Sequence, residues 1–149
     1  MEYDSTTDTL RHMRRVNELL LIAAREILLR ASSHDSSKLL HEEKEAFDEY
    51  TPKLKDCTYG SEEYKGFLSG LGVALKHHYQ QNSHHPEHYE NGLNGFDLFD
   101  LIEHFFDCKA ASERHENGDI LESIRINKAR FGYSDQVESI FKNTVERYL

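Results

Sequence analysis

The sequence predicts an all-α fold of five to six helices, arranged as a single compact domain over residues 1–149. Apolar residues recur at three- and four-residue spacing through most of the chain, which is the period of a helix. Only 2 prolines and 8 glycines occur among 149 residues, so long stretches contain no helix breaker. No segment shows the alternation of polar and apolar residues that is typical of a strand.

The first expected helix covers residues 9–31 and carries a wide apolar face. The residues of this face are Leu10, Met13, Val16, Leu20, Ala24, Ile27 and Leu28. Asp8 or Thr7 is placed to cap its N-terminus. Residues 32–37 break the helical pattern, so the pair His34-Asp35 should lie in a turn.

A second helix should begin at Ser36 or Ser37 and continue to about Tyr50. Pro52 should end it or follow its end, because proline disfavours helical geometry in the residue before it. We expect a loop over residues 53–60.

The third helix should begin at Ser61, whose hydroxyl can cap it, and continue into a histidine-rich segment. Glycines inside this helix lower its stability but would allow another helix to approach closely. These glycines are Gly66, Gly70 and Gly72. Residues 82–95 should form a polar loop.

The fourth helix should cover residues 95–116 and is apolar nearly all round, so we expect residues 96–106 at the centre of the fold. Asn117 and Gly118 should end it. A fifth helix should start at Gly118 or Asp119 and end at Ala129.

The last helix should be capped by Ser134. Its expected buried face consists of Val137, Ile140, Phe141, Val145 and Tyr148.

Composition and charge favour a cytoplasmic protein that binds neither membranes nor long nucleic acids. The longest apolar run, residues 19–24, is too short for a bilayer, and the acidic N-terminus does not resemble a signal peptide. Two cysteines, Cys57 and Cys108, are too few for a disulfide scaffold. The net charge of −9 argues against broad contact with a nucleic-acid backbone. A bound cation would still permit a small phosphorylated substrate.

The histidines form the clearest local signal, because six of the 10 fall between His77 and His104. On a continuing helix His78, Asn82 and His85 share one face. Neutral imidazoles that converge on one side suit zinc, iron, manganese or nickel. A solvated polar loop is the alternative, but histidines at this density are rare in such loops, so we expect contact with metal or phosphate.

Two further sets of polar residues are candidates for the same site. His34 and Asp35 follow a helix end, where both side chains can face one metal, although an Asp before a helix is also a common cap. Asp100, Glu103, His104 and Asp107 interrupt the apolar fourth helix. A buried carboxylate is costly unless it meets a cation or donors. Lys109 or Arg114 could satisfy these carboxylates, but we expect Asp107 to ligate a metal.

His12 can join this site only under one condition. It precedes His34 by twenty-two positions, so a straight helix would separate the two residues by about 33 Å. A turn between Leu21 and Ala31 would have to fold the chain back.

Together these residues resemble the HD superfamily of metal-dependent phosphohydrolases, whose pattern is a His, a His-Asp pair and a distant Asp on helices around one metal. The matching positions are His12, His34, Asp35 and Asp107. Additional histidines mark the two-metal members, and His78 and His85 (or His84) fall in the corresponding segment. More closely, the chain resembles an uncharacterised family of small HD-like proteins from bacteriophages and bacteria. The matching stretches are residues 34–39, 59–61, 78–89, 103–110 and 143–144.

This resemblance implies an HD-like helical domain with phosphohydrolase activity (phosphomonoesterase, nucleotidase or phosphodiesterase) on a nucleotide or another small phosphorylated metabolite. One or two divalent ions (manganese, iron, cobalt, nickel, zinc or magnesium) would be held by His12, His34, Asp35, His78, His85 and Asp107. The catalytic residues would be Glu103 or Asp100 as base, with Lys38. The substrate-binding residues would be Lys38, Asn82, His84, His88 and Arg114. The protein would act in the cytoplasm of a bacterium or phage-infected host, and a homodimer is compatible with this hypothesis.

Two alternatives stay open from the sequence. Some HD-like proteins hold two irons and oxidise their substrate with dioxygen, and this number of histidines and carboxylates would suit such a site. An inactive HD fold could instead serve a phage as a nucleotide- or protein-binding accessory protein, with an acidic surface that mimics nucleic acid.

Overall fold

The fold is given by a computed structural model, which describes residues 3–58, 60–114 and 118–149. Within them the chain forms six α-helices and three short 3-10 helices, with no strand, so the all-α prediction is confirmed. The α-helices are α1 (Thr6–Ser33), α2 (His41–Lys55), α3 (Glu62–Gln81), α4 (Leu98–Ser112), α5 (Ile120–Phe131) and α6 (Asp135–Tyr148). The 3-10 helices cover Ser36–Leu39, Pro86–His88 and Gly92–Gly95. Predictions that involve Tyr59, His115, Glu116 and Asn117 lie outside the described residues.

The chain divides into two compact units, of which the first ends at His34 and consists of α1. This helix begins three residues earlier than expected, with Ser5 as its N-cap in place of Asp8 or Thr7. The Asp4 carboxylate accepts a hydrogen bond from the backbone N–H of Thr6 at 2.9 Å, which extends the capped start toward the N-terminus.

The second unit covers Asp35–Leu149 and starts with α2 and α3 packed together. The prediction that Pro52 ends the second helix is wrong, because α2 continues through Pro52 to Lys55. Residues 51–53 are exposed, where the loss of one backbone hydrogen bond costs less than it would in a buried helix. The predicted start is also corrected, since Leu40 is extended and separates the 3-10 turn from α2.

Helix α3 begins at its predicted cap, where the Ser61 hydroxyl accepts from the N–H of Tyr64 at 3.1 Å. Gly72 interrupts its helical geometry at φ 46° and ψ −111°. Gly70 lies so close to the ring of Tyr50 on α2 that an added Cβ would stand 2.5 Å from the nearest ring atom. The close approach expected from these glycines therefore occurs at Gly70, where the neighbouring helix is α2.

Helix α4 starts later than predicted, at Leu98, because the Asp97 side chain forms a reciprocal capping box with Asp100. The expectation that residues 96–106 lie at the centre of the fold holds for one side of the helix only. Leu98 and Phe106 are exposed, while Phe105 contributes to the core.

The core of the second unit lies among α4, α5 and α6. Its buried residues are Phe105, Ile124, Tyr133 and Phe141. Asp119 caps α5. The helix continues to Phe131, two residues beyond the predicted end, and Gly132 then ends it in the left-handed conformation at φ 74°. Ser134 caps α6 as predicted.

The buried face of α6 is narrower than expected. Phe141 is buried, and Val137 and Val145 pack against the core. Ile140 and Tyr148 are exposed, so their predicted burial is wrong. No helix in the described parts of the chain has both the length and the apolar character needed to cross a membrane.

Candidate metal centre

Four side chains of the second unit bring potential metal ligands together. Asp35, His78, His84 and His85 each offer one ligand atom, and these atoms all lie within 4.8 Å of one another. His78 occupies the last turn of α3, and His84 and His85 lie in the loop after it, where the helix has ended before Pro86. Asp35 lies directly before the 3-10 turn. Two segments that are distant in sequence, the turn at Asp35 and residues 78–85, therefore meet at one point.

Asp35 has an uncommon backbone conformation, with φ at 54°. Lys38 donates to its Oδ2 atom, while Oδ1 lies 3.2 Å from His78 Nε2 and 3.5 Å from His84 Nε2. Burial alone would raise the pKa of this carboxyl. The bonds from both imidazoles and the Lys38 ammonium outweigh burial and hold the pKa far below its usual value. The carboxylate is thus ionised when it meets the imidazoles.

His78 is buried, and its two ring nitrogens have different surroundings. Nδ1 lies 2.9 Å from Oε2 of Glu43. Nε2 lies 2.9 Å from His85 Nε2 and faces Asp35. Because a carboxylate oxygen accepts, Nδ1 carries a hydrogen toward Glu43, and Nε2 is the nitrogen directed at the cluster, where a bound metal would replace any proton on it.

His84 repeats this arrangement with a carboxylate from α4. Its Nδ1 lies 3.1 Å from Glu103 Oε1, and its Nε2 lies 4.0 Å from Asp107 Oδ2. Burial would lower the pKa of His84, but Asp35 and Glu103 reverse this effect and raise it. His85 shows the opposite result, because burial and the neighbouring His84 and His78 lower its pKa to about 2. The His85 imidazole is neutral near pH 7, which is the form that binds metals.

This donor set fits a divalent transition metal. Imidazole nitrogens combined with a carboxylate suit zinc, iron, manganese, cobalt and nickel. Metal-binding histidines usually give their other ring N–H to a carboxylate, as His78 does to Glu43 and His84 to Glu103. The Nε2 atoms of His78 and His84 both lie beside the Asp35 carboxylate, and a cation bound among them would take the place of the protons that these groups otherwise share.

Comparison with known proteins assigns the chain to a family. Its residues 1–147 match a model described as "Family of unknown function (DUF5662)". The chain belongs to this family. No curated protein and no solved structure matches it.

In this DUF5662 member, two carboxylates on α4 that the sequence proposed as bases have other partners. Asp100 accepts hydrogen bonds from Ser83 Oγ at 2.6 Å and Tyr89 Oη at 2.7 Å, in addition to its role in the capping box. It is buried and ties the histidine loop to the start of α4. Glu103 contacts the outer nitrogen of His84. Neither residue belongs to the group of four potential ligands formed by Asp35, His78, His84 and His85.

The residues proposed to bind substrate are spread more widely. Lys38 reaches the cluster because its ammonium forms an ion pair with Asp35. The same ammonium lies over the ring of Phe47. Asn82 donates to Ser37 Oγ and to the carbonyl of His78, both at 2.8 Å, so its amide joins the end of α3 to the 3-10 helix that contains Ser37. His88 is exposed and donates to the carbonyl of Tyr79. Arg114 is exposed.

The first unit contains the remaining two predicted ligands. Helix α1 continues without a break from Thr6 to Ser33, so the turn required between Leu21 and Ala31 does not exist. His12 and His34 therefore lie about 33 Å apart and cannot share an ion within one chain. His34 follows α1 directly and precedes Asp35, and its role as a ligand stays a prediction.

Sequence reasoning missed three residues beside the ligands: Glu43, Ser37 and His77. Glu43 is fully buried and contacts both His77 and His78. Ser37 is buried and lies 3.2 Å from His78 Nδ1. Glu43 belongs to a run of charged residues on α2, and nothing in that run distinguishes a buried carboxylate from its exposed neighbours.

Proposed function

We propose that this protein is a divalent-metal-dependent phosphohydrolase that acts on a nucleotide or another small phosphorylated metabolite. The observation that carries the proposal is the cluster of Asp35, His78, His84 and His85. The resemblance of His34-Asp35 and Asp107 to the HD superfamily supplies the reaction class. Together they favour hydrolysis of a phosphate ester at a metal centre.

In this proposal the three imidazoles and Asp35 hold the ion, with Asp107 as a further candidate ligand. When bound there, a divalent metal neutralises phosphate oxygens and lowers the pKa of a coordinated water. Glu43 and Glu103 hold His78 and His84 so that Nε2 of each ring points to the centre.

Lys38 is the residue best placed to contact substrate phosphate. Its side chain is partly exposed, and its ammonium lies next to Asp35 at the margin of the cluster. An ammonium in this position attracts phosphate oxygens as a point charge. A protein with a net charge of −9 needs such local positive charge to bind an anionic substrate.

The base is reassigned from the residues that the sequence suggested. Asp100 holds the histidine loop through Ser83 and Tyr89, and Glu103 holds His84. Asp107 is the more exposed carboxylate of α4 at His84, with 21% of its side chain accessible against 15% for Glu103. We assign to Asp107 contact with the ion or with the attacking water, and to Asp100 a positioning role.

The test is turnover of a nucleotide panel with added manganese, cobalt or nickel. We expect release of phosphate or nucleoside from at least one nucleoside monophosphate, triphosphate or signalling nucleotide. Asp35→Asn should abolish this release, whereas His41→Ala, at an exposed position of α2, should leave it unchanged. The proposal fails if the metal-loaded protein binds nucleotides without turnover, or if it retains iron and consumes dioxygen with its substrate.

A further inference from the structure

The carboxylate of Glu43 lies behind the metal centre, on the side of His78 that faces away from the other ligands. We infer that Glu43 is a positioning residue that orients His78 for metal binding, with His77 holding Glu43 in place. This inference rests on the metal centre of the proposed function and adds two residues to it.

The contact geometry of Glu43 is specific. Oε2 lies 2.9 Å from Nδ1 of His78, and Oε1 lies 2.8 Å from Nδ1 of His77. Consecutive residues on a helix point about 100° apart, so one carboxylate reaches both rings only where α2 lies directly against α3. Each oxygen thus accepts from one ring, and the carboxylate has a single orientation.

The consequence for His78 is a fixed tautomer. With a hydrogen on Nδ1 directed to Glu43, Nε2 is the ring nitrogen left for a metal on the side of Asp35 and His85. If the hydrogen were on Nε2, that nitrogen could not ligate a metal. A carboxylate at Nδ1 also increases the basicity of the ring as a ligand.

Neighbouring groups keep the His78 ring in this orientation. Ser37 Oγ lies 3.2 Å from Nδ1, and the Asn82 amide donates to Ser37 Oγ and itself lies 3.1 Å from Nδ1. Phe47, one turn after Glu43 on α2, packs edge-on against the ring with 5.5 Å between centroids. These contacts restrain rotation of the imidazole, and Glu43 supplies the negative charge at Nδ1.

Packing of α2 on α3 does not require a buried carboxylate at this position. The two helices are also in close contact elsewhere, where the Tyr50 ring of α2 lies against Gly70 of α3. A negative charge in the first turn of α2 is favourable for the helix dipole, but the exposed Glu42 provides it without desolvation. The contacts of Glu43 with His77 and His78 are therefore the interactions that offset the cost of desolvating its carboxylate.

The test uses Co²⁺ titration of the full chain, followed by calorimetry and by visible absorption of the bound ion. Glu43→Gln should weaken Co²⁺ binding about 10–100-fold and shift the absorption bands. Glu42→Gln, the same change one residue earlier on an exposed position, should stay within about 2-fold of the wild-type protein. His77→Gln should weaken binding less than Glu43→Gln. The double variant should lose little beyond Glu43→Gln alone, because the two residues act in series.

Three results would overturn the inference. The first is Glu43→Gln with wild-type affinity and an unchanged spectrum. The second is loss of helical circular dichroism in both Glu43→Gln and Glu43→Asp, which would make the residue a structural requirement of the fold. The third is absence of Co²⁺ binding by the wild-type protein, which would overturn the metal centre as well, whereas the first two leave that centre intact.

Discussion

His84 and Glu103 form a pair in which Nδ1 of the imidazole lies 3.1 Å from Oε1 of the carboxylate, while Nε2 lies 3.5 Å from Asp35. The pair joins the loop after α3 to helix α4. It gives His84 the same orientation that Glu43 gives His78, with the outer nitrogen donating and the inner nitrogen facing the cluster.

Replacing Glu103 tests whether its carboxylate orients a ligand. Glu103→Gln should weaken zinc binding about 10–100-fold in calorimetric titration, because the amide removes the charge beside His84. Glu113→Gln, at the exposed end of α4, should leave affinity unchanged. Unchanged metal affinity with lost turnover would contradict the positioning role and return Glu103 to the role of base.

Replacing Asp107 separates two roles at the edge of the cluster. Its Oδ2 lies 4.0 Å from His84 Nε2. We expect Asp107→Asn to reduce turnover at least about 100-fold, the usual scale for loss of a general base or a metal ligand. If Asp107 is a ligand, metal affinity falls too, and if it contacts the attacking water, affinity persists. Activity close to that of the wild-type protein at saturating metal would exclude both roles.

His104 predicts how stability depends on pH. It donates from Nδ1 to the carbonyl of His84 at 2.9 Å and accepts from the Tyr133 hydroxyl at 2.5 Å, which requires a neutral ring. Burial lowers its pKa to about 4 in the folded protein, against about 6.5 in an unfolded chain. Between these values the unfolded state binds more protons, so stability is complete above pH 6.5 and falls as the pH decreases toward 4.

Urea unfolding of the wild-type protein and His104→Gln at pH 7, 6 and 5 measures this contribution. The wild-type protein should lose up to about 1.4 kcal/mol per pH unit more than the variant over this range. Parallel loss in both proteins would show that His104 does not contribute to the acid sensitivity.

Two glycines of α3 should respond in opposite ways to alanine. Gly70→Ala places a methyl group against the Tyr50 ring and should destabilise the protein by about 1–3 kcal/mol. Gly66 has no atom within 4 Å of its added Cβ, so Gly66→Ala should stabilise by up to about 1 kcal/mol. Thermal melts of both variants make the comparison. Equal melting temperatures would mean that the contact with Tyr50 does not restrict this position.

Local chemistry explains which parts of the fold the sequence could predict. Ser61, Asp119 and Ser134 cap helices within two or three residues of themselves, so their effect is readable from short windows. The continuation of α2 through Pro52 depends on the solvent exposure of residues 51–53. A short stretch of sequence does not contain that information. The exposed Leu98, Phe106 and Ile140 show a related limit, because apolar periodicity alone overestimates burial.

The residues of the candidate metal centre also fall into those that the sequence could predict and those that it could not. His78, His84 and His85 are close in sequence, so their grouping could be anticipated from spacing at a helix end. Glu43 contacts His78 across 35 positions, and no pattern on α2 marks it. The position of His12 depended on the course of one long helix, which lacks the turn that its role required.

The central claim is that Asp35, His78, His84 and His85 hold a divalent ion. Elemental analysis of the purified protein, dialysed after exposure to manganese, iron, cobalt, nickel and zinc, tests it most directly. We predict about one or more ions retained per chain in the wild-type protein and little in His84→Ala or His85→Gln, with His41→Ala unaffected. A wild-type protein that retains no metal, or His84→Ala and His85→Gln variants that retain as much as the wild-type protein, would contradict the claim.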